Sequence, residues 1–405
     1  MTVDISRREG LAALMAAVAA TAVPRIGHAD VPDIVIGNPN ALTGFLGEDG
    51  LRGSWGLHLA ADAINRQGGI KSLGGAKLKV ITADTTSDNP TQGASVARRM
   101  IDADHAVMLN GCEASAVTLA AQVEAEKSQV PLITGSYSDL LVQHGMKYTF
   151  KTTVKASLLT NAALDATVAM LKAAGKPVRG LAICTASTAV DAVISKSLPI
   201  EAKRIGLPVV AQVSYQSNLT DPSVVVLPIR QKRPDLIVLS GGLQDCVLIM
   251  QSLRGLGIKT PVLTGGGLAN DSGGVALGSG VADVFMNVHW NWDLKTPHNG
   301  ELLEAYRKAY PKEPASPNNE QLGLGYAAGM VIARALEKAG SREGPKIRAA
   351  LLSTTFDDVV QPPGKIAFDD TGYNRFAEGI VVEWMNPKET RTVYPKDLAT
   401  VAPAI

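Results

Sequence analysis

Serine hydroxyls recur where the chain leaves an apolar run. Val107-Met108-Leu109 passes into Asn110-Gly111-Cys112-Glu113 and then Ser115, and Val130–Thr134 passes into Gly135-Ser136-Tyr137-Ser138. Short, polar, glycine-bearing loops at strand ends present hydroxyls, and free backbone N–H groups from helix starts, along one sheet edge. Such an edge holds a carboxylate well, through capping donors and the helix dipole. Serine also caps helices and turns with no ligand present. On spacing alone both readings of Ser115, Ser136 and Ser138 stand.

Covalent chemistry has little to work with. Gly323-x-Gly325-x-x-x-Gly329 follows Pro317-Asn318-Asn319-Glu320 rather than an apolar strand, so its glycines are expected to permit close helix packing, not dinucleotide binding. Gly265-Gly266-Gly267 lacks the Lys-Ser/Thr of a phosphate loop, and no G-x-S-x-G elbow occurs. The six histidines are scattered without C-x-x-C or H-E-x-x-H spacing, so no metal site is expected. His58, among apolar helix positions, reads as a surface or packing side chain. Trp290 and Trp292 either line a cleft or cover a hinge. No nucleophile–base pair stands out, and neither an enzyme nor a cofactor is expected.

The elements that must position these loops alternate regularly. In residues 33–84 an apolar run, Ile34-Val35-Ile36, breaks into a loop with Asn38, Pro39, Thr43 and Gly44. Helical spacing follows from Ser54 through Trp55, Leu57, Leu59, Ala60, Ala63 and Ile64, and Leu78–Ile81 resumes a strand. That is a βαβ unit whose first loop opens at a strand's carboxyl end, where open parallel sheets bind ligands. Strands at 107–109 and 130–134 and helices at 92–102 and 116–126 continue the pattern. From Leu158 a second alternation runs through strands at 180–184, 209–214, 236–239, 261–264 and 284–289. Helices are expected again at 302–310 and 321–340, with a last strand at 379–384.

A chain of 405 residues exceeds one ordinary core, and 39 Lys+Arg against 38 Asp+Glu leave no basic footprint for nucleic acid. Ser6-Arg7-Arg8, the alanine-rich segment from Leu11 to Val23 and Gly27-His28-Ala29 read as a twin-arginine signal over residues 1–29, cut before Asp30. An amphipathic helix or anchor is the other reading of that segment, which is too short to span a bilayer, where roughly 20 apolar residues are needed. Three cysteines, an odd number, leave at least one unpaired, and buried free thiols suit a fold independent of disulfides.

Several phrases taken together resemble the periplasmic substrate-binding proteins of branched-chain amino-acid-type ABC transporters. They are Leu42-Thr43-Gly44, Ile64-Asn65, Gly68-Gly69-Ile70, Gly74-Gly75, Asp84, and Asp88 with Pro90. Arg233–Val238, Ser252–Gly257, Glu337–Ser341, and Gly364–Asp369 with Gly372 extend the likeness, in order, over nearly the whole chain. The resemblance implies an α/β fold of two doubly wound, Rossmann-like lobes joined by a three-crossing hinge. Lobe 1 is expected from 30–152 plus 290–356 and lobe 2 from 153–289 plus 357–405, with crossings near Thr152, near His289 and around Phe356–Gly364. It implies a monomeric, periplasmic, non-enzymatic receptor that closes on one small polar metabolite (an amino acid, organic acid or amide) and delivers it to an ABC permease in the inner membrane. A ligand-sensing module of the same fold is the alternative.

The resemblance also assigns roles. Ser115, Ser136 and Ser138 are expected to hold the ligand's polar head, helped by Thr43, Thr118 and backbone N–H groups. Asp49, Glu113, Val190, Leu243, Gly266 and Gln321 are expected to set specificity. The family's ammonium-binding carboxylate matches Gly266, and its pocket tyrosines match Asp49, Val190, Gly242 or Leu243, and Gln321. A ligand without an ammonium group suits an unmodified Gly266 better, because an unpaired buried charge is costly. Asp49 or Glu113 offers a replacement carboxylate.

Overall fold

A computed structural model describes residues 31–143, 145–265 and 268–405. The expected leader and Gly266 lie outside the described residues. Residues 33–405 form one compact unit.

The first alternation builds β1 (Ile34–Asn40), α1 (Gly47–Arg66), β2 (Leu78–Asp84), α2 (Pro90–Asp102), β3 (Met108–Asn110), α3 (Ser115–Lys127), β4 (Leu132–Thr134) and β5 (Thr149–Lys151). These strands pair in parallel in the order β2-β1-β3-β4-β5. The second alternation follows with α4 (Ala156–Ala173), β6 (Leu181–Ala186), α5 (Ala189–Arg204), β7 (Val209–Tyr215), α6 (Ser223–Lys232), β8 (Leu236–Ser240), α7 (Leu243–Gly255), β9 (Val262–Thr264), α8 (Asp271–Leu277) and β10 (Val284–Val288). The chain then makes α9 (Asn299–Ala309), α10 (Gln321–Ala339) and α11 (Gly344–Ser353), a short β11–β12 ribbon (Phe356–Asp357, Lys365–Ile366), and the hairpin β13–β14 (Ile380–Asn386, Glu389–Tyr394). The second sheet runs β14-β13-β10-β9-β8-β6-β7, parallel except for the two hairpin strands. Strands covered on both faces by helices read as unbroken apolar runs, and β6, β8 and β10 are buried at every residue.

Helix α1 begins seven residues before Ser54. Gly47, Gly50 and Gly53 weaken the helical signal of its first turns, and Gly50 is there for packing: a Cβ on it would stand 1.8 Å from the Ala41 carbonyl oxygen. The same logic governs the crossing of α1 and α10. A Cβ on Gly56 would meet the Leu322 carbonyl at 2.1 Å, and one on Gly325 the Gly53 carbonyl at 2.0 Å. Gly323 lies against the Trp290 indole and Gly329 against Ala60, so the glycine series is a helix-packing device.

Passages between the sheets converge on one seam. The Thr152 carbonyl accepts from Gln361 Nε2 and Asn374 Nδ2, both at 3.0 Å, tying the first passage to the last. Phe356, Val359, Ile366 and Phe368 share the core of Ile34, Met108 and Phe150. The chain therefore stays with the first sheet beyond the crossing expected at Phe356–Gly364 and rejoins the second sheet only at Ile380. The amphipathic period does not record which sheet a short ribbon covers. Trp290 is fully buried, its Nε1 donating to Asn299 at 2.9 Å, and Trp292 lies under the Arg391 guanidinium. Neither lines the cavity between the sheets. All three cysteines are free and buried.

Candidate functional site

Strand carboxyl ends and helix starts of both sheets face one another across a cavity of about 530 Å³. Parallel βα units put every loop that follows a strand on the same edge, so two such sheets set edge to edge enclose a site. The volume suits a small organic molecule.

One wall comes from the first sheet. Asp49 stands on the first turn of α1, Glu113 lies between β3 and α3, Ser115 opens α3, Tyr137 follows β4, and Glu320 and Gln321 open α10. Asp49 Oδ1 accepts from Asn319 Nδ2 at 2.7 Å, and Glu113 Oε1 accepts from Gln321 Nε2 at 3.0 Å. Glu320 is saturated: Oε2 accepts the His289 backbone N–H at 2.6 Å with His289 Nδ1 at 3.0 Å, and Oε1 accepts the Tyr137 hydroxyl. Burial, reinforced by Glu48 and Glu320, pushes the Asp49 carboxyl up to about 7. Burial and the Asp49 and Glu320 charges push Glu113 well upward. Behind this wall the buried Lys151 ammonium donates to the Ser136 carbonyl and to Thr153 Oγ1, and burial pushes it down to about 7.

The facing wall carries hydroxyls and glycines. Thr188–Asp191 follow β6, Gln216–Asn218 follow β7, Ser240–Gly242 follow β8, Gly265 follows β9, and Asn287 lies on β10. Asp191 is closed off by Thr188 Oγ1 at 2.5 Å and by the Ser240 hydroxyl. The walls approach at Phe45, whose ring would stand 3.2 Å from a Cβ on Gly242.

Of the residues expected at the site, Asp49, Glu113, Ser115, Val190 and Gln321 line the cavity. The rest of the described ones stand behind its surface. Ser136 is buried and bonds the Cys112 and Glu113 carbonyls and Thr118. The Thr118 hydroxyl serves the Cys112 and Ala114 carbonyls at 2.9 Å. Ser138 is buried and its Oγ caps Leu140 N–H at 3.3 Å. Thr43 is exposed and bonds Asp84 Oδ2 at 2.6 Å, and Leu243 leans into the second sheet's core beside Gly242, which does line the cavity. These hydroxyls are spent on shaping loops, the bland alternative that spacing left open. Sequence reasoning missed Tyr137, Asp191, Asn287 and Glu320 as lining residues. Asn287 carried a signal, being the lone polar residue of the buried strand Val-Phe-Met-Asn-Val.

A family model described as Periplasmic binding protein matches residues 33–382. The chain belongs to that family. It is 27% identical over 382 residues to Leu/Ile/Val-binding protein homolog 8 of Brucella abortus (strain 2308), covering 92% of this chain and 93% of that one. Leu/Ile/Val-binding protein homolog 7 of Brucella suis biovar 1 is 25% identical over 385 residues. The fold is shared with the leucine-binding protein LivK of Thermotoga maritima (TM-score 0.77, 23% identity, 90% of this chain and 100% of that one). It is shared equally with LivJ of Streptococcus pneumoniae, solved with isoleucine (TM-score 0.75, 23% identity, 90% and 100%). The two-sheet fold is thus that of these periplasmic binding proteins, and no helix among the described residues is long and apolar enough to cross a membrane.

Proposed function

We propose that this protein is a non-enzymatic, periplasmic solute receptor that holds one small polar metabolite between two lobes and delivers it to an ABC permease. The observation that supports this most is the cavity of about 530 Å³, lined from both sheets and bridged by the buried Thr152 seam. Walls on separate sheets, joined by three passages, change their separation by small rotations at the seam, and a solute touching both walls favours the closed arrangement. Asp49, Glu113, Ser115, Val190 and Gln321 contact the solute in this reading. Ser136, Ser138, Thr118 and Thr43 hold the loops that present them, and Leu243 supports the facing wall.

The test is a thermal-shift screen with amino acids, organic acids, amides and amines. A bound solute at about 100 times its dissociation constant adds roughly 2.7 kcal/mol to the folded state, a midpoint rise of several degrees. No shift with any class, together with no small molecule released on denaturing the purified protein, overturns the reading.

A further inference from the structure

Five carboxyl side chains line the cavity, those of Asp49, Asp88, Glu113, Asp191 and Glu320, and among the described residues no lysine, arginine or histidine does. The nearest bases are already committed. Lys151 stands behind the wall on Ser136 and Thr153, and Arg52 is bound to Glu313 at 2.8 Å with Asp271 at 3.6 Å. Helix starts are the other source of positive potential, and those of α1, α5 and α7 are complemented from within, while those of α3, α4 and α10 carry no acid in their first turns. Helix α1 carries Glu48 and Asp49 in its first turn, α5 carries Asp191 and α7 carries Asp245.

Acceptors are in surplus at defined atoms. Asp49 and Glu113 each spend one oxygen on a neighbouring amide, and no hydrogen bond from a described residue reaches the second oxygen of either. The decisive group is Asn287, 2% exposed and facing these carboxyls from the other wall. The Thr160 hydroxyl donates to the Ala156 carbonyl at 3.0 Å, so towards Asn287 it can only accept. Asn287 must therefore turn its amide nitrogen to Thr160, at 3.4 Å, and among the described residues its Oδ1 is left without a donor. A buried carbonyl oxygen without a donor is costly and rare, and a ligand N–H satisfies it. A metal ion is a poor candidate, because no group of three His, Cys, Asp or Glu among the described residues is placed to hold one.

Taking the cleft as the solute site proposed above, we propose that its solute is a net-positive organic cation bearing N–H donors, a primary amine or guanidine without a carboxylate, seated between Asp49, Glu113 and Asn287. Of the two ligand chemistries that the glycine at position 266 left open, this is the one in which Asp49 on α1 and Glu113 on the β3–α3 loop supply the carboxyl. A zwitterionic amino acid would place its own carboxylate among five carboxyls with no basic side chain to pair it. A quaternary ammonium would leave Asn287 Oδ1 unfilled. Asp49 near 7 and the raised Glu113 are what an acidic seat looks like before its cation arrives.

Isothermal titration of the purified protein with agmatine, putrescine, choline, leucine and isovalerate tests the proposal. Agmatine or putrescine should bind at least 100-fold more tightly than leucine or isovalerate, and at least 10-fold more tightly than choline. Glu113→Gln should weaken the favoured amine at least 10-fold with little change in melting temperature, and Asp49→Asn provides the same measurement if Glu113→Gln fails to fold. Tighter binding of leucine or isovalerate than of either amine overturns the cation proposal and leaves the solute-receptor reading intact. So does choline binding as tightly as agmatine. Silence with all five compounds also overturns it. Release of a small molecule on denaturation then decides the receptor reading separately.

Discussion

Asp191 and Asp49 are both carboxyls on the first turn of a helix that opens onto the cleft, and the molecule treats them oppositely. Asp191 is roofed by the Thr188 and Ser240 hydroxyls, and its own N–H returns to Thr188 Oγ1 at 3.2 Å, a closed helix cap. Asp49 receives one amide and is otherwise turned to the cavity, with burial holding it near 7. Glu320 resembles Asp191, saturated by His289 and Tyr137, whereas Glu113 resembles Asp49. Carboxyls of the first kind hold the walls in place. Those of the second kind are what a solute can change. The number of donors a buried acid already has separates the two better than its distance from the cavity.

Removing a saturated carboxyl should have the largest effect and fall on stability. Glu320→Ala strands a buried backbone N–H, an imidazole and a phenol, and should cost about 3–5 kcal/mol, the range for breaking a buried charged network by deleting one partner. Urea unfolding followed by tryptophan fluorescence checks this, and a loss under about 1 kcal/mol would erase the distinction between the two kinds of acid. Asp191→Ala should come next, at about 2 kcal/mol, since it removes a cap and leaves two hydroxyls unpaired.

Much of this arrangement was legible in the sequence. Alternating apolar runs located the buried central strands of both sheets to within about two residues, because burial on both faces leaves little choice of residue, whereas the carboxyl ends of β1 and β2 and the whole edge strand β14 escaped. Asp49, Glu113, Ser115, Val190 and Gln321, expected at the site from the resemblance, line the cavity. What escaped had physical reasons. Gly47, Gly50 and Gly53 lower helix propensity, yet the close approach of the Ala41 carbonyl requires glycine at position 50, so packing overrode propensity. Helix α8 has seven residues with two glycines and gives no period. Glu320 sits in Pro317-Asn318-Asn319-Glu320, which reads as a loop, and its partners His289 and Tyr137 are distant in sequence. Hydroxyl-rich loops could not declare which hydroxyls face inward, and Ser136, Ser138 and Thr118 proved to bond their own loops.

The cavity-facing acids should show themselves through pH. Asp49 titrates near 3.8 in an unfolded chain and near 7 in the folded one, so between these values the folded state holds a proton that the unfolded state has released. Stability of the unliganded protein should therefore fall as pH rises through this window, the reverse of the usual aspartate. Glu113, raised as well, adds to the same slope, and Glu48 and Glu320 act in the same direction, while Asn319 and Arg52 oppose it. Asp49→Asn should flatten the slope and raise stability above pH 7. Urea midpoints from pH 4.5 to 8 measure it, and an unchanged slope in the variant would mean that Asp49 does not face a solute-ready cavity.

The smallest effects separate the two serines that spacing could not. Ser115 lines the cavity and its Oγ accepts the Ser138 N–H at 3.2 Å, leaving its own proton to give to a solute or to water. Ser138 is fully buried and spends its oxygen on the Leu140 N–H. Ser115→Ala should weaken solute binding by about 0.5–1.5 kcal/mol, the usual net value of one hydrogen bond. Ser138→Ala should leave affinity nearly unchanged and cost about 1 kcal/mol of stability, as the loss of a cap does. Titration and urea unfolding of the same two variants give a two-by-two outcome. If Ser138→Ala weakens binding as much as Ser115→Ala while stability holds, its loop must rearrange on solute binding, and a hydroxyl now spent on its own backbone belongs among the cavity-facing groups after all.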